Sequence, residues 1–172
     1  YVVRDLSRVR SNWRSNRSRD EELRHQGVSG IAEIDTRALT RHLREQGAMR
    51  VGISTIETDV DALLERVLQS PPMAGANLVA DVTVREPEIT PAVGEKRFTV
   101  AAIDLGIKDM TPTRMAERGI EVHLLPATYS LEQVLAVKPD GVFFSNGPGD
   151  PAAASDAVEL LTGLLDAGIP YF

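Results

Sequence analysis

The chain has 172 residues, 42% of them apolar and 26% charged, with a net charge of −6. That is ample apolar material for a globular core, and no run approaches the roughly 18 to 20 apolar residues needed to span a bilayer. The absence of cysteine rules out disulfides, cysteine zinc sites and, within these residues, a thiol nucleophile; a cytoplasmic home is the expectation. The charge is uneven, with eleven arginines against seven acids in residues 1–50 and an acidic remainder. Such asymmetry can mark a nucleic-acid arm, but Trp13 is the lone aromatic in the arginine-rich run, where stacking platforms use several. Neither nucleic acid nor a membrane is expected as a partner.

The first half reads as mixed α/β. Asp20 to His25 predicts a helix ending near Gly27. Gly30 to Ile34 alternates apolar and polar residues and predicts a short strand. Asp35 and Thr36 can cap a helix from about Arg37 to Gln46, striped by Leu39 and Leu43 and ended by Gly47. Arg37, Arg41 and Arg44 share one face of it, either a solvated face or a docking face. A helix over Asp59 to Gln69 places Val60, Leu63, Leu64, Val67 and Leu68 on one face predicted to be buried, and Pro71-Pro72 stops it. Between Arg85 and Lys96, Pro87, Pro91 and Gly94 among charged residues predict a linker.

Beyond it the pattern changes. Phe98 to Ile103, Ile120 to Leu125, Gly141 to Phe144 and Ile169 to Phe172 are short apolar runs separated by helical segments. Thr111-Pro112 reads as an N-cap with proline at the first position, and Ser130 to Gln133 as a capping box. Val158, Leu161, Leu164 and Leu165 give the last helix an apolar stripe. Runs apolar on both faces and alternating with helices predict a doubly wound parallel sheet. The apolar run at Ile169 to Phe172 leads to the expectation that this domain is unfinished, with a sheet edge prone to association.

In open parallel sheets, ligands bind beyond the carboxyl ends of the strands. The loops there begin at Asp104-Leu105-Gly106-Ile107-Lys108, at Pro126-Ala127-Thr128-Tyr129, at Ser145-Asn146-Gly147-Pro148-Gly149-Asp150-Pro151, and after Phe172. In the third, Pro148-Gly149 suits the centre of a type II turn. Its N–H donors are Gly147, Gly149 and Asp150, and the glycines would let a substrate approach the main chain. Fixed N–H groups of this kind suit an oxyanion hole or carboxylate clamp. The same residues also suit a plain strand-to-helix turn, with Asp150 as N-cap and Pro151 at the first position.

The loop from Ser145 to Pro151 resembles the signature of class I glutamine amidotransferases, in a spelling typical of carbamoyl-phosphate synthetase small chains. Gly27 to Arg41, Gly-Val-Ser-Gly-Ile-Ala-Glu-Ile-Asp-Thr-Arg-Ala-Leu-Thr-Arg, resembles the amino-terminal domain of the same family, as do Leu43 to Gly47, Arg4-Asp5-Leu6 and Ser11-Asn12-Trp13-Arg14. The resemblance implies three segments. Residues 1–85 are the carboxyl part of the amino-terminal domain, 86–97 a linker, and 98–172 the first part of an amidotransferase domain.

It further implies glutamine hydrolysis by a Cys-His-Glu triad lying beyond Phe172, so that residues 1–172 alone are expected to be inactive. L-Glutamine and a large subunit are the implied partners. No cofactor is expected in this chain, with ATP and magnesium on the large subunit. Gly147 and Gly149 correspond to the main-chain contacts for glutamine; His25, His42 and His123 match no triad member. Where the family commonly continues Arg-Asn after Lys108, this chain has Asp109-Met110, which puts a shared polar role there in doubt. Other readings are a different class I amidotransferase, against which residues 1–85 count, a non-catalytic relative, and a nucleotide-binding module. For the last, no Gly-x-Gly-x-x-Gly follows Phe98 to Ile103, and Lys108 lacks phosphate-loop spacing.

Overall fold

A computed structural model describes residues 1–172 and divides them into two compact units, Tyr1–Pro72 and Met73–Phe172. The boundary lies earlier than residue 85, because residues 73–97 pack with the second unit.

The first unit is built on three helices. Helix α1 (Arg19–His25) begins at a capping box in which Ser18 accepts from the Glu21 N–H and the Glu21 carboxylate accepts from the Ser18 N–H. Helix α2 (Thr36–Gln46) is capped by Asp35, whose carboxylate accepts from the Ala38 N–H, and it ends at Gly47, at φ 83°. Helix α3 (Val60–Gln69) is capped by Asp59. The strand predicted at Gly30 to Ile34 is reduced to one parallel bridge, Val2 to Ile31. The single buried face predicted for α3 is not formed. Leu63 and Val67 are half-buried against Gly52, while Val60, Leu64 and Leu68 stay exposed. Without a sheet to pack on, the unit covers only a narrow strip of the apolar face, and none of its residues is buried.

The second unit holds the sheet. A short helix α4 (Val79–Val82) precedes strands β1 (Glu88–Thr90), β2 (Phe98–Asp104), β3 (Ile120–Pro126) and β4 (Gly141–Phe144), in the spatial order β1-β3-β2-β4. β2 pairs in parallel with both β3 and β4, and β1 runs antiparallel to β3. Strand β1 lies within the predicted linker and corrects it. Its flanking prolines, Pro87 and Pro91, suit an edge strand, which hydrogen-bonds on one side only. Val93 and Arg97 donate to the carbonyls of Ala116 and Gly119, so the rest of that segment is pinned as well.

Successive residues of each strand face opposite layers. Ala101, Ile103, Leu125 and Val142 form one core with Val134 of α6 (Leu131–Ala136) and with Leu160 and Leu164 of α7 (Ser155–Asp166). Ala102, Val122 and Leu124 form the other, with Met115 of α5 (Met110–Ala116) and Phe143 packed against them. The two-sided parallel sheet is therefore as predicted. Residues 170–172 run beside β4, with Val142 donating to Pro170, Phe172 to Val142 and Phe144 to Phe172, although only Tyr171 forms a bridge.

Two helix details differ from expectation. Helix α5 begins two residues earlier, at Met110 after Asp109, which leaves Thr111 and Pro112 in its first turn. Proline is tolerated there because those N–H groups have no intrahelical acceptor. The buried stripe of α7 runs through Leu160 and Leu164, while Val158 and Leu165 are exposed.

Candidate active site

The chain passes from β2 to β3 on one side, then returns to β4 on the other side of β2. This reversal of strand order opens a crevice at the carboxyl ends of β2 and β4, the place where open α/β sheets bind ligands. The loops starting at Asp104 and Ser145 meet there.

Ser145 is buried at the end of β4. Its N–H donates to the Ile103 carbonyl at 3.2 Å. Its Oγ accepts the Leu105 N–H at 2.9 Å and donates to the Asn146 carbonyl at 3.0 Å. Asp104, 2% exposed, accepts three backbone N–H groups. Oδ1 takes those of Gly106 and Ile107 at 2.9 and 2.8 Å, and Oδ2 takes that of Val84 at 2.7 Å. Buried polar groups need such partners, because an unpaired one costs about 1–3 kcal/mol.

The glycine loop sits on this frame. Gly149 has φ 92°, the value wanted at the third position of a type II turn. The hydrogen bond that would close the turn is diverted, since the Asp150 N–H donates to the Ala76 carbonyl at 2.9 Å. Of the three donors predicted for this loop, Asp150 is thus committed, and the N–H groups of Gly147 and Gly149 donate to no protein acceptor.

The reason for the glycines also differs from the one predicted. A Cβ at Gly147 would strike the Leu105 carbonyl, and one at Gly149 would strike the Ala76 carbonyl. The space a Cβ would fill is taken by the chain itself, so both glycines are required by packing before any ligand arrives.

Asp150 joins the loop to residues 75–76. Its carboxylate accepts the Gly75 N–H at 2.8 Å and the Ala152 N–H at 2.9 Å, capping the 3-10 turn Pro151–Ala153. These bonds, Gly75 first, hold its carboxyl below the usual aspartate range. The plain-turn reading therefore holds for Asp150 and Pro151, alongside two free amides.

Beside the loop lies a cavity of ≈ 430 Å³, walled by Leu105, Phe144, Gly147, Gly149, Val158 and Leu161. Val158, outside the buried stripe of α7, belongs to this wall. Apolar walls with a few fixed polar groups are the usual make-up of a small-molecule site. Residues 75–76 and the three bonds of Asp104 escaped sequence reading. Gly75, with φ 78°, offered only a generic turn signal.

The remaining candidates lie elsewhere. His25 and His42 are exposed on α1 and α2, and His123 on β3 has Nε2 3.0 Å from Glu121 Oε1. Lys96 foremost, then His123, holds the Glu121 carboxyl below its usual range. Arg37, Arg41 and Arg44 are exposed and take part in no ion pair. No group of three or more acidic or histidine side chains is arranged to hold a metal ion.

Comparison with known proteins agrees with this layout. Residues 1–53 match the family described as carbamoyl-phosphate synthase small chain, CPSase domain, and residues 101–172 match glutamine amidotransferase class-I. The carbamoyl phosphate synthase small chain of Streptomyces avermitilis is 64% identical over 174 residues, covering 100% of this chain and 46% of its own length. That of Streptomyces coelicolor is 63% identical with the same coverage, and that of Bifidobacterium longum 46% identical over 187 residues. The chain spans about half the length of these curated relatives.

Proposed function

We propose, for a chain that carries the carbamoyl-phosphate synthase small-chain domain in residues 1–53 and a class-I glutamine amidotransferase segment in residues 101–172, that the longer protein hydrolyses glutamine and passes the ammonia to a large subunit. There, ATP, magnesium and bicarbonate would complete carbamoyl phosphate, serving arginine and pyrimidine synthesis in the cytoplasm.

The observation that carries this reading is the pair of unpaired N–H groups at Gly147 and Gly149, fixed in the crevice between β2 and β4. A thiolate supplied by residues outside 1–172 would add to the carboxamide carbon of glutamine. As the C–S bond forms, the carboxamide oxygen becomes anionic, and the two amides would donate to it. The C–N bond then breaks, ammonia leaves with a proton from the base, and water cleaves the thioester to glutamate. Leu105, Ala76 and Asp150 hold the loop in the form that this reading requires.

The test is glutamate and ammonia release by the full-length protein, alone and with its large subunit. Release from glutamine is expected, and its absence under both conditions would overturn the proposal. Residues 1–172 alone should release no ammonia above a buffer blank.

A further inference from the structure

We infer that Ser145 and Asp104 are positioning residues for glutamine turnover, which act by fixing the wall against which the Gly147 amide is aimed. The inference rests on the glutamine-hydrolysing reading of this loop.

Leu105 and Gly106 form that wall. The Leu105 carbonyl occupies the space a Gly147 Cβ would need, and the space a Gly106 Cβ would need is bounded by Pro148 Cδ at 3.1 Å and Gly147 Cα at 3.4 Å. The glycine loop is therefore aimed by a dipeptide that belongs to the other strand end. Two side chains hold the dipeptide. Ser145 Oγ takes the Leu105 N–H, and Asp104 Oδ1 takes the N–H groups of Gly106 and Ile107. Asp104 Oδ2 also ties in Val84 at 2.7 Å. Ser145 further donates to the carbonyl of Asn146, the peptide group whose N–H is that of Gly147. The Ser145 hydroxyl thus contacts both the wall and the peptide that carries the donor.

Neither side chain need touch glutamine. Their effect would appear where negative charge develops, since a donor misaimed by a fraction of an ångström loses transition-state stabilisation before it loses substrate binding. Removing a whole oxyanion donor costs about 10²–10³ in kcat, and loosening its support should cost less.

The experiment uses the full-length protein with its large subunit, comparing wild type, Ser145→Ala, Ser145→Thr and Asp104→Asn. Ser145→Ala should lower kcat for glutamine hydrolysis about tenfold to a hundredfold and leave KM within about twofold. Ser145→Thr, which keeps the hydroxyl, should recover most of the loss. Hydrogen exchange at Leu105 should speed up in Ser145→Ala, and at Gly106 and Ile107 in Asp104→Asn, while Ala101 to Ile103 in β2 stays protected. Unchanged kcat in Ser145→Ala, or equal loss in the alanine and threonine variants, would overturn the inference. So would kcat falling only in proportion to folded protein. A wild type without glutamine hydrolysis would instead overturn the functional reading beneath it.

Discussion

The two units use the same local grammar and reach opposite interiors. Each has a helix opened by a complete capping box, Ser18 with Glu21 in one and Ser130 with Gln133 in the other. Yet all eleven buried apolar side chains lie between Ala101 and Leu164, and none lies in Tyr1–Pro72. Caps and propensities start helices at about a kilocalorie each. Burial needs a second layer, and only the sheet of the second unit supplies one. The candidate site lies on the unit with the core, as a site that depends on fixed amides should.

The largest expected contrast is in hydrogen exchange. Amides of β2 and β3 should exchange at least about a hundredfold more slowly than those of α1 to α3, because opening the first unit exposes little buried surface. Comparable protection in both units would break the contrast. Side-chain deletion should sharpen it next. Leu164→Ala, at a position fully buried in α7, should cost about 2–5 kcal/mol. Leu68→Ala, 61% exposed on α3, should stay within about 0.5 kcal/mol in chemical denaturation.

A smaller effect concerns pH. The Asp150 carboxyl is held low by the Gly75 and Ala152 amides, so its contribution is complete above the ordinary aspartate value near 3.9. It is lost as pH falls through the lower folded value, because the folded state then has to take up a proton it resists. The stability gap between wild type and Asp150→Asn should therefore hold steady down to about pH 4 and shrink below it; a gap that stays constant as the pH falls further would contradict the assignment. Smallest of all, replacing Arg37, Arg41 and Arg44 together by glutamine should move stability by no more than about 0.5 kcal/mol. Lower affinity for the large subunit in that variant would favour docking over a solvated face.

Much of the second unit was legible because its signals are local. β2, β3 and β4 read as apolar runs, the Ser130 box read as a box, and Asp150-Pro151 read as the cap and first position of a turn. The features that escaped depend on what lies across the chain. Glu88-Ile89-Thr90 between prolines has the composition of a linker, and only its neighbour β3 makes it a strand. The apolar face of α3 has the right spacing, but spacing cannot say whether a partner layer exists. Val158 and Leu165 obey helical period as well as Leu160 does, and the sheet's position decides which of them is covered. The glycines were read as room for a ligand, whereas Leu105 and Ala76, remote in sequence from the loop, already fill that room. Helix α1 starts at Arg19, one residue before the predicted Asp20, because Ser18 caps it.

The most direct test of the central claim removes the donor itself. Replacing the Gly147 peptide N–H by an ester oxygen in the full-length protein keeps the glycine geometry against Leu105 and deletes the donor. The account predicts that kcat for glutamine hydrolysis falls by about 10²–10³ with KM nearly unchanged. An ester variant that turns over glutamine within twofold of wild type would show that this amide does not stabilise the reacting oxygen.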